Sequence, residues 1–146
     1  MNLNKTDILL IEDNADDAGL TIRALRKNNV LNTIIHLSDG EEALNYIFCE
    51  GEYHGRNHNE LPRLILLDLK MPKVDGLEVL KRVKSDVKTK NIPIIILTSS
   101  NENADVEECY RMGANSYLVK PVEFDGYLQA IGTLSNYWLQ LNQYPQ

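Results

Sequence analysis

RLILLDLKMPKVDGLEVLKRV, residues 63–83, opens on a wholly apolar run, Leu64–Leu67, and breaks at Asp68. It then passes through punctuation at Pro72 and Gly76 and sets Leu77, Leu80 and Val83 on one helical face. A strand with no polar alternation needs cover on both faces, and a parallel sheet gets that cover from helices above and below it. The stretch therefore reads as one strand–helix unit of such a sheet.

The same unit recurs outward in both directions. Short β-branched runs stand at Ile8–Ile11, Thr33–Leu37, Ile94–Leu97 and Ser116–Val119. Ala18, Ile22 and Leu25 share a helical face after the first, and Ala43, Leu44, Ile47 and Phe48 after the second. Ser38, three residues before Glu41, is a capping-box signature for the second helix. The fourth helix carries only a thin stripe, Val106, Cys109 and Tyr110, before Met112 and Gly113. The fifth is predicted from Glu123 to Leu141, with Phe124, Tyr127, Leu128, Ile131, Leu134, Trp138 and Leu141 as its stripe. Tyr137 and Leu139 widen that stripe near its end, and a helix apolar on more than one face calls for a second partner. Tyr137, Trp138 and Leu141 are accordingly expected at an interface, with a second copy of the chain or with another protein. Strands alternating with helices give a doubly wound, three-layer α/β/α domain, and right-handed crossovers favour the flavodoxin-like strand order 2-1-3-4-5.

The chain has 146 residues, enough for one core and too few for two domains, since roughly two-thirds of the unfolded surface is buried at this mass. Its formal net charge of −6, with Lys and Arg scattered, argues against direct nucleic-acid or anionic-membrane binding. No apolar run reaches the ~20 residues of a membrane span and no signal-peptide core precedes the first strand, so a cytoplasmic protein is expected. Cys49 and Cys109 lack CxxC spacing and read as thiols. Glu50 to Pro62 is polar and reads as an exposed loop; its His54 and His58 are four apart, but Gly55 between them argues against a helical zinc site.

Ligands of open α/β sheets bind beyond the carboxyl ends of the strands. There the first strand ends in Glu12 and Asp13, the third in Asp68, the fourth in Thr98 and Ser99, and the fifth in Lys120 before Pro121. In the order 2-1-3-4-5 these four strands are neighbours, so carboxylates, a hydroxyl and an ammonium converge on one rim. Three crowded carboxylates must take up protons, stay wet or bind a cation, and an all-oxygen set suits Mg²⁺. Lys120 can neutralise an anion held by that metal and Thr98 can donate to it. The site suits a phosphoryl group, with an aspartate as nucleophile.

These residues carry a family resemblance. IEDN at Ile11 to Asn14, LLDLKMPKVDG at Leu66 to Gly76, LTSS at Leu97 to Ser100 and YLVKP at Tyr117 to Pro121 resemble the motifs of a two-component response-regulator receiver (CheY-like) domain. The resemblance spans nearly the whole chain, with a core of about residues 6–135, an extended last helix to about 142 and no output domain. It implies Asp68 as phosphoacceptor and Asp13 as a Mg²⁺ ligand, with Glu12 acting through water and the backbone carbonyl of Lys70 as a further ligand. Lys120 would pair with phosphoryl oxygens, Thr98 would be the switching hydroxyl, Tyr117 the aromatic that rotates with it, and a cis peptide before Pro121 would aim Lys120. The Lys70 side chain and Ser100 occupy positions that tune phosphate lifetime.

The longer loop and the aromatic end, NYWLQLN at Asn136 to Asn142, are similar to stand-alone regulators of bacterial and cyanobacterial phytochrome kinases. A sensor histidine kinase, of phytochrome type, is then the expected partner. The implied protein is a signalling protein rather than an enzyme, though it promotes its own phosphotransfer and dephosphorylation. A dehalogenase-type phosphatase would need D-x-D where Glu12, Asp13 and Asn14 stand, and no Gly-rich phosphate loop follows a strand. A docking module that works without phosphate is disfavoured by the complete set of Asp13, Asp68, Thr98 and Lys120.

Overall fold

A computed structural model describes residues 7–71 and 73–144. Pro72, read above as punctuation, and the amino-terminal residues before Asp7 lie outside them. The strands are β1 (Ile8–Ile11), β2 (Ile34–Leu37), β3 (Leu64–Leu67), β4 (Ile94–Thr98) and β5 (Ser116–Val119). They form one parallel sheet in the order β2-β1-β3-β4-β5, as the sequence predicts.

Among the described residues five α-helices cover the sheet: α1 (Ala15–Lys27), α2 (Gly40–Phe48), α3 (Gly76–Ser85), α4 (Asn103–Arg111) and α5 (Phe124–Asn136). Two cores result, because alternate residues of each strand face opposite layers. Leu9, Ile11, Ile65, Leu67, Ile94 and Ile96 pack with α2 and α3, whereas Ile8, Leu10, Leu64, Leu66, Ile95 and Leu97 pack with α1 and α5. That is the physical reason for the unbroken apolar runs. β5 lies at the edge, and its residues are half-buried or exposed.

Asparagine and aspartate caps start α1, α2 and α3. Asn14 accepts from the N–H of Asp17 at 3.0 Å, Asp39 from that of Glu42 at 2.7 Å and Asp75 from that of Glu78 at 3.0 Å. The cap of α2 is thus Asp39, one residue after the predicted Ser38; its carboxylate is within reach of the Glu42 N–H. α4 starts at Glu102 without a side-chain cap, and Cys109 is its one buried residue. Tyr110, predicted on its apolar stripe, is 50% exposed.

The carboxyl end departs from the expected single helix. After α5 the backbone widens into a π-helical turn at Tyr137–Leu141, which resets the angular phase of the last residues. Trp138 packs beside the α1/α5 core, while Tyr137 and Leu141 are 45% and 64% exposed. Tyr144 closes over this turn, donating to the Trp138 carbonyl at 2.5 Å, with the Arg63 guanidinium 5.0 Å from the centre of its ring. In the polar segment after α2, Gly51–Tyr53 forms a 3₁₀ turn and Arg56 donates to the carbonyls of Tyr46 and Glu60. His54 bonds the Gly51 carbonyl at 2.9 Å.

Candidate functional site

Strand register assembles the site. Ile11 pairs with Leu67, so Glu12 and Asp68, each the next residue of its strand, stand level on neighbouring strands. Thr98 pairs with Val119, and Lys120 follows directly. The loop after β3 folds tightly onto Asp68: Gly76 N–H donates to the Leu69 carbonyl at 2.9 Å. A Cβ at Gly76 would lie 2.3 Å from the Asp68 carbonyl oxygen, so a side chain there would push the loop off the site.

Glu12 is 3% exposed and is held on every side. Its N–H donates to the Leu37 carbonyl at 3.0 Å, its own carbonyl bonds His36 Nε2 at 2.7 Å, and its Oε2 accepts from the Asn14 N–H at 3.3 Å. Lys120 Nζ donates to Glu12 Oε1 at 2.5 Å and lies 3.5 Å from Asp17 Oδ2. Burial pushes the Glu12 carboxyl up to about 7; the Lys120 hydrogen bond pulls against this and the neighbouring Asp68 charge adds to it. For Lys120, burial works against the ammonium. The bond to Glu12 and the charges of Glu12, Asp68 and Asp17 outweigh it and leave the pKa above its ordinary value.

Ligand oxygens of Glu12, Asp13 and Asp68 lie within 4.8 Å of one another, with Glu12 buried, Asp68 half-buried and Asp13 exposed. Such a set suits a hard divalent cation: all its donors are oxygens, its open side faces water, and the carboxylate repulsion that raises Glu12 is relieved by positive charge. Lys70, in the loop two residues after Asp68, is exposed. Asp68 Oδ1 accepts from the Leu69 N–H at 2.9 Å.

Thr98 is 2% exposed and its Oγ1 accepts from the Ser100 N–H at 3.3 Å. Tyr117 donates its hydroxyl proton to the Ser100 carbonyl at 2.9 Å, and Ser100 Oγ donates to Asp105 Oδ2 at 2.5 Å. The loop after β4 thus connects Thr98 to Tyr117 through two residues of backbone. The Lys120–Pro121 peptide is trans, since no described peptide bond is cis, which corrects the expected cis form. Trans is the intrinsic preference of an X–Pro bond, by about 0.5–1 kcal/mol. Lys120 is aimed instead by its ion pair with Glu12 and by its N–H, which donates to the Thr98 carbonyl at 2.7 Å.

Glu12, Asp13, Asp68, Thr98 and Lys120 therefore share one rim, and Tyr117 flanks it. Tyr137, Trp138 and Leu141 lie in the carboxyl-terminal turn, outside that rim. Sequence reasoning missed Asp17 and His36. A carboxylate in the first turn of a helix reads as a complement to the helix dipole, and a histidine within a strand carries no spacing signal.

The family model for the response regulator receiver domain matches residues 8–132. The chain is 38% identical to the probable methanogenesis regulatory protein FilR2 of Methanothrix harundinacea, over 94% of this chain and 86% of that protein. It is 35% identical to the response regulator Rcp1 of Synechocystis sp., over 91% of this chain and 88% of that protein. The Mn²⁺-bound crystal structure of Rcp1 superposes with a TM-score of 0.87, at 33% identity over 97% of this chain and 99% of that one. The crystal structure of the phosphorylated cyanobacterial phytochrome response regulator RcpA gives 0.88, at 35% identity and the same coverages, 97% and 99%. Among the described residues no helix is long and apolar enough to cross a membrane. With an acidic rim at the carboxyl ends of a 2-1-3-4-5 sheet and a family match over most of its length, the chain belongs to the response regulator receiver domain family and is a phosphoacceptor of two-component signalling.

Proposed function

We propose that Asp68 is the phosphoacceptor and that its donor is a phosphohistidine on a sensor histidine kinase of the phytochrome type. One observation carries the reading: Asp68 stands level with Glu12, and Lys120 reaches Glu12 from the end of β5. An Asp68 oxygen attacks phosphorus, the P–N bond to the donor imidazole breaks, and the imidazole leaves with the electron pair. Glu12, Asp13 and Asp68, with the Lys70 carbonyl, would hold Mg²⁺, which would supply positive charge to offset that of the phosphoryl group. Lys120 pairs with those oxygens and Thr98 donates to them; Tyr117 follows Thr98. Return to the carboxylate proceeds by attack of water, at a rate that the side chains of Lys70 and Ser100 tune. Residues 1–146 act as one receiver, with about 6–135 as its core. The test is transfer of labelled phosphate from an autophosphorylated histidine kinase, with label on the wild type and none on Asp68→Asn.

We infer further that the altered state is read by a second copy of the chain. Support comes from the exposed Tyr137 and Leu141 beside a groove of about 460 Å³ between the edge strand β5 and α5. Tyr117 lines that groove together with Leu118, Leu134 and Trp138, so movement of Tyr117 alters its wall. Sedimentation with and without beryllofluoride and Mg²⁺ tests this: a monomer under both conditions overturns it.

A further inference from the structure

Lys120 has a second anionic neighbour that none of the roles above uses. Asp17 stands in the first turn of α1, half-buried, with its Oδ2 3.5 Å from Lys120 Nζ. It is not one of the three clustered carboxylates. Its backbone is fixed at both ends. Asn14 Oδ1 takes its N–H at 3.0 Å, and its carbonyl accepts from the Thr21 hydroxyl at 3.1 Å. The single Thr21 hydroxyl proton is committed there, so the Tyr127 hydroxyl donates to Thr21 and locks this turn of α1 to α5. Thr21 and Tyr127 are 1% and 5% exposed. Asp17, Lys120 and Tyr127 line one cleft of about 260 Å³ alongside Ser99 and Pro121.

We propose that Asp17 is a positioning residue that competes with the phosphoryl group for Lys120, and so sets the balance between the unphosphorylated and phosphorylated forms. The proposal rests on Asp68 being the phosphoacceptor. An ammonium has three donors and no acceptor. In the structure Glu12 takes one donor at 2.5 Å and Asp17 draws on another at 3.5 Å. A phosphoryl group on Asp68 adds an anion on the strand next to Glu12. Lys120 can turn to it while keeping Glu12, which is level with Asp68, but only by giving up the pull of Asp17 on α1. Asp17 therefore stabilises the form without phosphate. Being outside the carboxylate cluster, it has no matching effect on the cation.

The experiment measures beryllofluoride affinity at saturating Mg²⁺, and the steady-state fraction phosphorylated by acetyl phosphate. Asp17→Asn raises both by about two- to fivefold, the range of a partly exposed ion pair. Mg²⁺ affinity without the anion is unchanged, and Asp17→Glu behaves as wild type. Asp16→Asn, the same charge change on an exposed neighbour without an ion pair to Lys120, has much less effect. In a Lys120→Gln background the Asp17→Asn gain in beryllofluoride affinity disappears. The proposal is overturned if Asp17→Asn matches wild type, if Asp16→Asn gives the same gain, if Mg²⁺ affinity shifts equally, or if the gain survives in Lys120→Gln. A wild type that takes phosphate at a residue other than Asp68 contradicts the phosphoacceptor assignment itself. Phosphate on Asp68 with no Asp17 effect removes this proposal alone.

Discussion

Lys120 donates to Glu12 at 2.5 Å although 108 positions separate the two residues in the chain. Their meeting follows from a parallel sheet that brings the carboxyl ends of β1 and β5 to one rim, with β3 and β4 between them. Glu12 is 3% exposed and the Lys120 side chain 14%, so the pair is shielded from the water that makes surface ion pairs weak. A cation and a phosphoryl group entering this rim meet a charge arrangement already in place.

We expect cation binding to require Asp13, the exposed member of the carboxylate cluster. Asp13→Asn weakens Mg²⁺ binding about tenfold or more, which is ~1.4 kcal/mol per factor of ten. Calorimetry reads this directly; equal affinities in the two proteins contradict it.

Stability of the metal-free protein falls as pH rises through the titration of Glu12. Burial raises its pKa from 4.5 to about 7 in the folded chain, so between those values the native state binds more protons than the unfolded one. Unfolding free energy then declines with pH in that window. Denaturant titrations in EDTA, across about pH 4.5 to 7.5, show this decline in wild type and a flatter profile in Glu12→Gln. Identical profiles contradict it.

We expect α4 to be the element that yields when the pocket is filled. It has no side-chain cap and one buried residue, Cys109, and the Tyr117 hydroxyl is tied to the Ser100 carbonyl in the loop leading into it. Addition of beryllofluoride and Mg²⁺ changes amide hydrogen exchange over residues 101–117, and Tyr117→Phe reduces that change. Exchange that is the same with and without the mimic removes this route.

At the carboxyl end, packing and association separate by residue. Trp138 is packed beside the core, so Trp138→Ala lowers stability by about 2 kcal/mol. Tyr137 and Leu141 are exposed, so Tyr137→Ala with Leu141→Ala changes stability by only about 0.5 kcal/mol each and abolishes self-association. Thermal melts and sedimentation check the two halves; loss of stability without loss of association in the double variant contradicts the second.

The strands and their order were legible because a sheet covered on both faces prints itself as apolar runs, and Leu64–Leu67 is the plainest of them. Glu12, Asp13, Asp68, Thr98 and Lys120 were legible because each ends a strand or stands within two residues of its end. What lay beyond reach depended on three-dimensional detail. Ser38 and Asp39 are both good caps, and only the backbone turn chooses between them. The π-helical turn at Tyr137–Leu141 changes which residues face the core without changing their spacing. Asp17 joins Lys120 through tertiary packing of α1 against α5, which Thr21 and Tyr127 fasten and no local pattern announces.

The most direct test of the central assignment is incubation with acetyl phosphate and Mg²⁺ followed by intact mass and peptide mapping. Wild type gains one acid-labile phosphoryl group, located on Asp68, and Asp68→Asn gains none. A phosphoryl group mapped to any other residue, or an undiminished gain in Asp68→Asn, would contradict the assignment.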